Sequence, residues 1–127
     1  MTDQERKQLA TSFIDALRAG DANGFRAIMT DDVFWTLPGK SLVSGVAKGV
    51  EGILKRARTI VDYGATVNIA HVVLGYEGAA LLLHNTGKRN GQILDEYLTT
   101  VLTLRDGKIA RLDTYISDID MVNAYFS

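Results

Sequence analysis

Residues 94–116 read LDEYLTTVLTLRDGKIARLDTYI. Threonine, valine, leucine, isoleucine and tyrosine dominate on both sides of Arg105-Asp106-Gly107, and these residue types favour β-strands. Asp-Gly is a tight-turn dipeptide, because both residues tolerate the left-handed backbone conformation. The segment therefore predicts two antiparallel strands, Leu94–Leu104 and Lys108–Ile116, joined by a short turn.

Two more strand-like runs precede this hairpin, Thr66–Tyr76 and Ala79–Asn85. Glu77-Gly78 separates them, and residues 86–91 predict a turn before the next strand. Connections this short between strands imply antiparallel pairing. The run AALLL at 79–83 is apolar at every position, which predicts a sheet that is covered on both faces.

The first half of the chain predicts three helices and one strand. Thr2 and Glu5 have capping-box spacing, and Gly20 stands where a helix would end. The other predicted elements of this half are a short helix capped by Asp21, a turn at 30–32, a strand Val33–Leu37 and a helix Glu51–Val61. After the last strand, a helical tail is predicted at 118–126. Helices followed by a long meander predict an α+β domain.

The composition bounds the class of protein. The chain has 127 residues, 46% of them hydrophobic, no cysteine and a net charge of -1. This length predicts one domain, residues 1–127. The absence of cysteine excludes thiol nucleophiles and thiolate metal sites. The near-neutral charge argues against nucleic acid as a partner, and no apolar run is long enough to span a membrane. The charged N-terminus does not resemble a signal peptide, so we expect a cytoplasmic protein.

Five short motifs occur in a fixed order along the chain. They are FIDALRAGD at 13–21, TDDVFWTLPG at 30–39, GVEGI at 49–53, DEY at 95–97 and LRDGKI at 104–109. Together they resemble the nuclear transport factor 2-like superfamily, which includes ketosteroid isomerases, limonene-epoxide hydrolase and SnoaL-like polyketide cyclases. The resemblance implies a cone-shaped α+β barrel of the cystatin-like type, in which a curved antiparallel sheet wraps around three helices and encloses a pocket.

The reactive groups of ketosteroid isomerases have no counterpart in this chain. The resemblance places Phe13 at the position of the family's tyrosine, Leu37 at that of the carboxylate base and Thr100 at that of the protonated acid. Phenylalanine and leucine can neither move a proton nor stabilise an enolate oxygen. We therefore expect that the chain is not a ketosteroid isomerase.

The aspartate shared by the cyclases and the epoxide hydrolase is also missing. The resemblance places Thr114 at its position on the last strand. Asp113 precedes it, but successive strand residues face opposite ways, so only a bulge would turn Asp113 inward. The epoxide hydrolase mechanism is therefore not expected, whereas cyclase chemistry would need another base.

The expected pocket is hydrophobic and follows from strand alternation. Trp35 is the candidate surface for ligand stacking, with simple core packing as the alternative. The predicted lining residues are Phe13, Leu17, Trp35, Leu37, Tyr63, Leu98, Thr100 and Thr114, of which Thr100, Thr114 and Tyr63 would supply hydrogen bonds. Lys55, Arg56 and Arg58 on the third helix are interpreted as a solvated face.

Two residues are candidates for a general acid or base, Glu96 and His84. Alternation points Glu96 into the pocket, where burial would raise its pKa; the alternative is a place at the rim beside Arg89. His84 is a candidate because histidine is the residue type commonly used as a general base, and its alternative is a packed histidine at a strand end. The two histidines have no metal-ligand spacing, so neither a metal nor a cofactor is expected.

The outer face of the predicted sheet suits an interface. It carries tyrosine, valine and threonine with few charges, which favours a homodimer. Its residues are Asp95, Tyr97, Thr99, Val101, Thr103, Arg111, Asp113 and Tyr115. The leading hypothesis is a dimeric SnoaL-like protein that binds a small hydrophobic or polyketide-like molecule and catalyses cofactor-free isomerisation, cyclisation or hydration. The alternative is a non-catalytic ligand-binding or dimerisation module.

Overall fold

A computed structural model describes all 127 residues as four helices and one curved, unclosed sheet of six strands. The strands lie in the order β2-β1-β6-β5-β4-β3. In chain order the elements are α1 (Asp3–Ala19), α2 (Ala22–Ile28), β1 (Met29–Leu37), β2 (Gly45–Lys48), α3 (Gly49–Asp62), β3 (Thr66–Leu74), β4 (Ala79–Arg89), β5 (Gln92–Arg105), β6 (Lys108–Ile116) and α4 (Ile119–Tyr125). The expected α+β cone fold is confirmed.

Helix α1 begins and ends where the sequence predicts. The Thr2 hydroxyl oxygen accepts a hydrogen bond from the Glu5 amide at 3.0 Å, and the Glu5 carboxylate accepts one from the Thr2 amide at 3.0 Å. Gly20 ends the helix with a φ of 59°, a left-handed conformation that glycine adopts without steric cost.

The sheet contains two pairings that the sequence did not predict, and both involve β1. Strands β3 to β6 pair antiparallel with their neighbours, as expected. Strand β1, however, pairs parallel with β6, bringing Trp35 opposite Leu112. Parallel neighbours need a long connection, which α3 and the four intervening strands, β2 to β5, provide. Strand β2 then extends the sheet beyond β1.

Two predicted turns are strand in the structure. Strand β4 does not end at Asn85 but continues to Arg89, which pairs with Gln92. The turn consists only of Asn90 and Gly91, whose φ values of 49° and 78° match the two-residue turn that favours Asn-Gly. Residues 30–32, also predicted as a turn, belong to β1.

The core lies between the helices and the inner face of the sheet. Helix α1 packs against β3 and β4, α3 against β1 and β2, and α4 against β5. Inner-face residues such as Val33, Leu81 and Leu112 are fully buried, because alternate strand residues share a face. No helix has the length and apolar character needed to cross a membrane.

Candidate functional site

A cavity of about 40 Å³ lies inside the cone, between the helices and the inner sheet face. Its walls are mainly hydrophobic side chains from α1, α3, α4 and the strands. Three polar residues also line it, namely Asn85 on β4 and Glu96 and Thr100 on β5. A mostly apolar cavity with a few convergent polar groups is the usual form of a small-molecule site.

Most of the predicted pocket residues line this cavity. They are Phe13 and Leu17 from α1, Trp35 and Leu37 from β1, and Glu96, Leu98 and Thr100 from β5. Thr114 is buried directly behind the wall, where its hydroxyl group contacts Thr100 and Trp35. The two remaining predictions, Tyr63 and His84, lie elsewhere.

Glu96 is the only ionisable residue that lines the cavity, and it is 1% exposed. Its Oε1 accepts hydrogen bonds from the Ser117 amide at 2.9 Å, the Ser117 hydroxyl at 3.3 Å and the Asp118 amide at 3.4 Å. Its Oε2 has no hydrogen-bond partner. Burial raises the pKa of Glu96; the Ser117 and Asp118 hydrogen bonds oppose this rise, and the Asp118 charge adds to it. This is an anchored carboxyl group with one free oxygen.

A chain of buried hydrogen bonds ends at the cavity wall. The Trp35 indole N–H donates to Thr114 Oγ1 at 2.8 Å, and the hydroxyl groups of Thr114 and Thr100 are 2.8 Å apart. The three groups carry three polar hydrogens but form only two mutual bonds. One threonine hydroxyl hydrogen is therefore left over. It belongs to Thr100 when Thr114 donates to Thr100, and of the two threonines Thr100 is the one that lines the cavity. Thr100 is thus placed to donate to a bound molecule.

His84, the second candidate acid or base, does not line the cavity. Its ring stacks on Tyr97 on the outer sheet face, with centroids 4.2 Å apart, and its Nε2 lies 2.6 Å from Asp95 Oδ1. The reason is strand alternation, because its neighbour Leu83 points inward and therefore His84 points outward. No group of three or more histidine and carboxylate side chains lies close enough together to hold a metal ion.

Tyr63 does not line the cavity either. It follows the last residue of α3, where its ring stacks on Phe126 with centroids 5.7 Å apart and the Arg89 guanidinium lies 3.6 Å from its ring centroid. Glu96 itself is 1% exposed and bonded to Ser117 and Asp118, so it lies neither at an exposed rim nor paired with Arg89. The aromatic pair joins the end of α3 to the residue after α4.

Asp113 remains on the outer face, since β6 has no bulge at this position. It accepts hydrogen bonds from the Thr36 hydroxyl at 2.6 Å and from Arg111 Nε at 2.7 Å. Burial opposes ionisation, but these two donors hold the pKa of Asp113 below its usual range. Asp113 therefore cannot replace the missing inward aspartate at Thr114.

The interpretation of Arg56 as a solvated residue is wrong. Arg56 is 6% exposed and donates to the backbone carbonyls of Trp35 at 2.8 Å and Gly45 at 3.1 Å. Its guanidinium carbon lies 5.0 Å from the centroid of the Trp35 ring. Burial without a carboxylate partner lowers the pKa of Arg56 to about 10. Arg56 therefore supports the wall of the cavity from behind Trp35.

Asn85 is the one polar residue of the cavity that was not predicted from the sequence. The predicted end of β4 at Asn85 left its side chain without an assigned face. The signal was present in the alternation of Leu81 and Leu83, which are buried and share a face with Asn85. Its Oδ1, like Glu96 Oε2, is buried without a hydrogen-bond partner.

Several solved structures share the fold of this chain. Bal32a, from a soil-derived mobile gene cassette, matches with a TM-score of 0.85, 22% identity and coverage of 97% of this chain and 99% of its own. A nuclear transport factor 2-like protein from Burkholderia xenovorans matches at 0.85, 20% identity and coverage of 100% and 99%. TerC, co-crystallised with polyporic acid, matches at 0.80, 17% identity and coverage of 97% and 99%. At these identities the likeness establishes the fold alone.

Sequence comparisons give the family. The uncharacterized proteins Rv0034 of Mycobacterium tuberculosis and Mb0035 of Mycobacterium bovis are each 26% identical over 122 residues, which cover 93% of this chain and 93% of theirs. The model of the SnoaL-like domain matches residues 10–112. The chain therefore belongs to the SnoaL-like domain family, as the order of its motifs implied.

Proposed function

We propose that the chain binds a small, mainly apolar molecule with a carbonyl-type oxygen and moves a proton on it without a cofactor. Glu96 is the acid or base of this reaction. The reaction classes are isomerisation, cyclisation or hydration. The observation that carries the proposal is the buried carboxyl group of Glu96, which is anchored through Oε1 and presents an unpartnered Oε2 in an apolar cavity. Burial raises the pKa of this carboxyl group, and catalytic acids and bases are commonly groups whose pKa the site has shifted in this way.

Three features support a ligand with an apolar body and a hydrogen-bond acceptor. The surplus hydroxyl hydrogen of the Thr100–Thr114 pair would donate to that acceptor, and Trp35 would pack against the apolar body. A neighbour of the same fold, TerC, was co-crystallised with polyporic acid. These features favour a hydrophobic or polyketide-like ligand, with Phe13 and Leu37 as further walls.

Trp35 is the only tryptophan of the chain, so its fluorescence reports on the cavity. We expect apolar carbonyl compounds that bind there to quench it. For such a ligand, solvent deuterium should enter the ligand in the presence of the wild-type protein. Glu96→Gln should slow this incorporation by about 10²–10⁴-fold while still binding, because glutamine keeps the shape but transfers no proton. The measurements are fluorescence titration and NMR of the ligand in deuterated water.

The matched control for this experiment is His84→Gln, which changes a titratable residue on the outer face. It should leave the rate of deuterium incorporation unchanged. Equal rates for wild type and Glu96→Gln would contradict the role of Glu96. The absence of any quenching across a broad library of apolar carbonyl compounds would contradict the proposed ligand class.

A non-catalytic binding module is the second candidate. The observation that favours it is the cavity volume of 40 Å³, which is far below the roughly 300–1,000 Å³ of typical ligand pockets. A larger ligand must displace side chains, such as Val122 and Phe126 near α4. Quenching of Trp35 without deuterium incorporation, in wild type and Glu96→Gln alike, would favour this candidate.

We also propose that a second copy of the chain covers the outer sheet face. Tyr97, Val101 and Tyr115 are 61%, 37% and 66% exposed on this face. Its charges already pair within the chain, as in the Arg111–Asp113 and His84–Asp95 contacts. A neutral aromatic surface with paired charges is suited to contact an identical surface.

Tyr115→Asp should convert the proposed dimer to a monomer, because a charged side chain would be buried against the second copy. Sedimentation equilibrium measures the result as a mass near one chain rather than two. Tyr76→Asp is the control, since Tyr76 is 98% exposed on the β3–β4 turn, and it should leave the mass unchanged. A monomeric wild-type protein would contradict the proposal.

A further inference from the structure

Two buried oxygen atoms in the structure have no hydrogen-bond partner, Asn85 Oδ1 and Glu96 Oε2. No other buried side-chain polar atom lacks one. Asn85 and Glu96 stand directly opposite each other in the β4–β5 ladder and line the same cavity. Opposite residues in an antiparallel pair have their Cβ atoms roughly 4.5–5.5 Å apart, so the two side chains are within reach of each other.

The two atoms are both acceptors when Glu96 is ionised. Buried polar groups in folded proteins are nearly always hydrogen-bonded, and two opposed acceptors cannot bond to each other. In the orientation that the structure gives the Asn85 amide, a single proton on Glu96 Oε2 removes both defects, because the acid then donates an O–H bond to Asn85 Oδ1. A rotated amide would instead donate from Nδ2 to an ionised Glu96, and that arrangement would show no carboxylic acid band in infrared spectra. The other oxygen, Oε1, already accepts from Ser117 and Asp118, which fixes Oε2 as the atom that carries the proton.

We infer that Asn85 is a positioning residue that holds Glu96 as a neutral carboxylic acid, by accepting the hydrogen bond that only the protonated acid donates. The location of this proton does not depend on the function proposed above. Its use in catalysis does rest on that function: Glu96 then acts first as the acid and not as the base.

The transfer of a proton from Glu96 to the ligand needs no co-reactant. The O–H bond of Glu96 Oε2 breaks, its electron pair stays on Oε2, and the proton forms a new bond to the ligand. Asn85 Oδ1 then faces a carboxylate, an arrangement that favours the return of a proton. When the ligand releases a proton from another of its atoms, Glu96 takes it back and the acid is restored.

The surroundings of Glu96 contain no cation that would stabilise its ionised form. Asp118, in the link to α4, is negatively charged and raises the pKa of Glu96. The charged or titratable side chains of the neighbouring elements have other partners or point to solvent. On β4 and β5, His84 and Asp95 contact each other on the outer face, and Arg89 lies on the Tyr63 ring. On β6, Arg111 and Asp113 form an ion pair. On α4, Asp120 is exposed and the Tyr125 hydroxyl donates to the Tyr63 carbonyl.

Infrared spectroscopy tests the inference without any ligand. At a pH above the range in which exposed glutamates ionise, wild-type protein should show one carboxylic acid C=O band, assigned to Glu96 by its loss in Glu96→Gln. In Asn85→Leu this band should move to higher frequency, because the acid has lost its acceptor. Asn68→Leu makes the same change on the outer face of β3 and should leave the band in place. A missing band, or one that Asn85→Leu does not move, would overturn the inference.

The Glu96→Gln variant provides a second measurement in case Asn85→Leu does not fold. Glutamine carries an N–H donor where the protonated acid carries its O–H, so Gln can donate to Asn85 Oδ1. We expect one side-chain amide hydrogen of this variant to be protected from solvent exchange in NMR spectra. Rapid exchange of both amide hydrogens would contradict the inference.

The pH dependence of the free energy of unfolding provides a further test that Glu96 is protonated in the folded state. The pKa of Glu96 is raised from 4.5, so the folded state binds this proton more tightly than the unfolded state. The free energy of unfolding should therefore fall as the pH rises from the unfolded value through the folded one, and Glu96→Gln should lose this fall. A fall of equal size in Glu96→Gln would show that another group causes it. Because no ligand is present, these tests can fail while the binding experiments succeed, and the reverse.

Discussion

Replacing Phe13 with alanine is expected to lower the free energy of unfolding by about 3–5 kcal/mol. Phe13 is 1% exposed in the centre of the core. Its ring packs edge-on against Trp35, with centroids 5.6 Å apart, and against Phe25 at 6.0 Å. Alanine removes the transfer free energy of the ring and both aromatic contacts, and the β-strands around it cannot collapse to fill the space.

Chemical denaturation with urea measures this loss as a lower midpoint at an unchanged slope. Tyr76→Ala is the matched control, because it removes an aromatic ring that is 98% exposed, and it should change stability by less than about 0.5 kcal/mol. A loss below about 1 kcal/mol in Phe13→Ala would show that Phe13 does not pack as the structure places it.

Phe13→Ala should lower stability but increase the binding of small apolar ligands. Phe13 lines the cavity, so the space vacated by its ring adds to the present 40 Å³. Apolar cavities created in this way stay dry and accept apolar molecules. Small aromatic compounds should therefore raise the stability of Phe13→Ala more than that of the wild type.

The parts of the fold that the sequence predicted depend on local rules. The capping box of Thr2 and Glu5 defines the start of α1 through two adjacent hydrogen bonds. Asp106 and Gly107 define a hairpin through their own backbone preferences. The inward placement of Glu96 needs only the period of two along a strand. Each of these features is determined by residues close in sequence.

The missed features depend on contacts between distant residues. Helical spacing places Arg56 at one edge of the apolar face, three residues after Ile53, and Arg58 at the other edge, four residues after Leu54. Spacing alone therefore does not decide which of the two arginines is buried. The burial of Arg56 depends on the carbonyl groups of Trp35 and Gly45, which reach it only through the packing of α3 on β1 and β2. The parallel pairing of β1 with β6 is likewise decided by the path of the chain between them. Asn85 differs, since recognition of the Asn-Gly turn would have extended β4 and assigned its face.

Replacing Arg56 with methionine is expected to lower the free energy of unfolding by about 2–4 kcal/mol, because each buried carbonyl left without a donor costs about 1–3 kcal/mol. Methionine matches much of the arginine side chain in length and stays buried, but it donates no hydrogen bond to the carbonyls of Trp35 and Gly45. The loss is limited because methionine also removes the cost of burying a positive charge, which in the wild type lowers the pKa of Arg56 to about 10.

Urea denaturation measures this loss, and Arg58→Met is the matched control. Arg58 is exposed on the same helix, so its replacement should change stability by less than about 0.5 kcal/mol. The emission wavelength of Trp35 reports whether the surroundings of its ring change in Arg56→Met, since the Arg56 guanidinium lies 5.0 Å from the ring centroid. A shifted emission together with lower stability means that Arg56 holds the wall behind the cavity. An Arg56→Met protein as stable as the wild type would mean that the carbonyl groups find other donors and that the burial of the charge offsets the two hydrogen bonds.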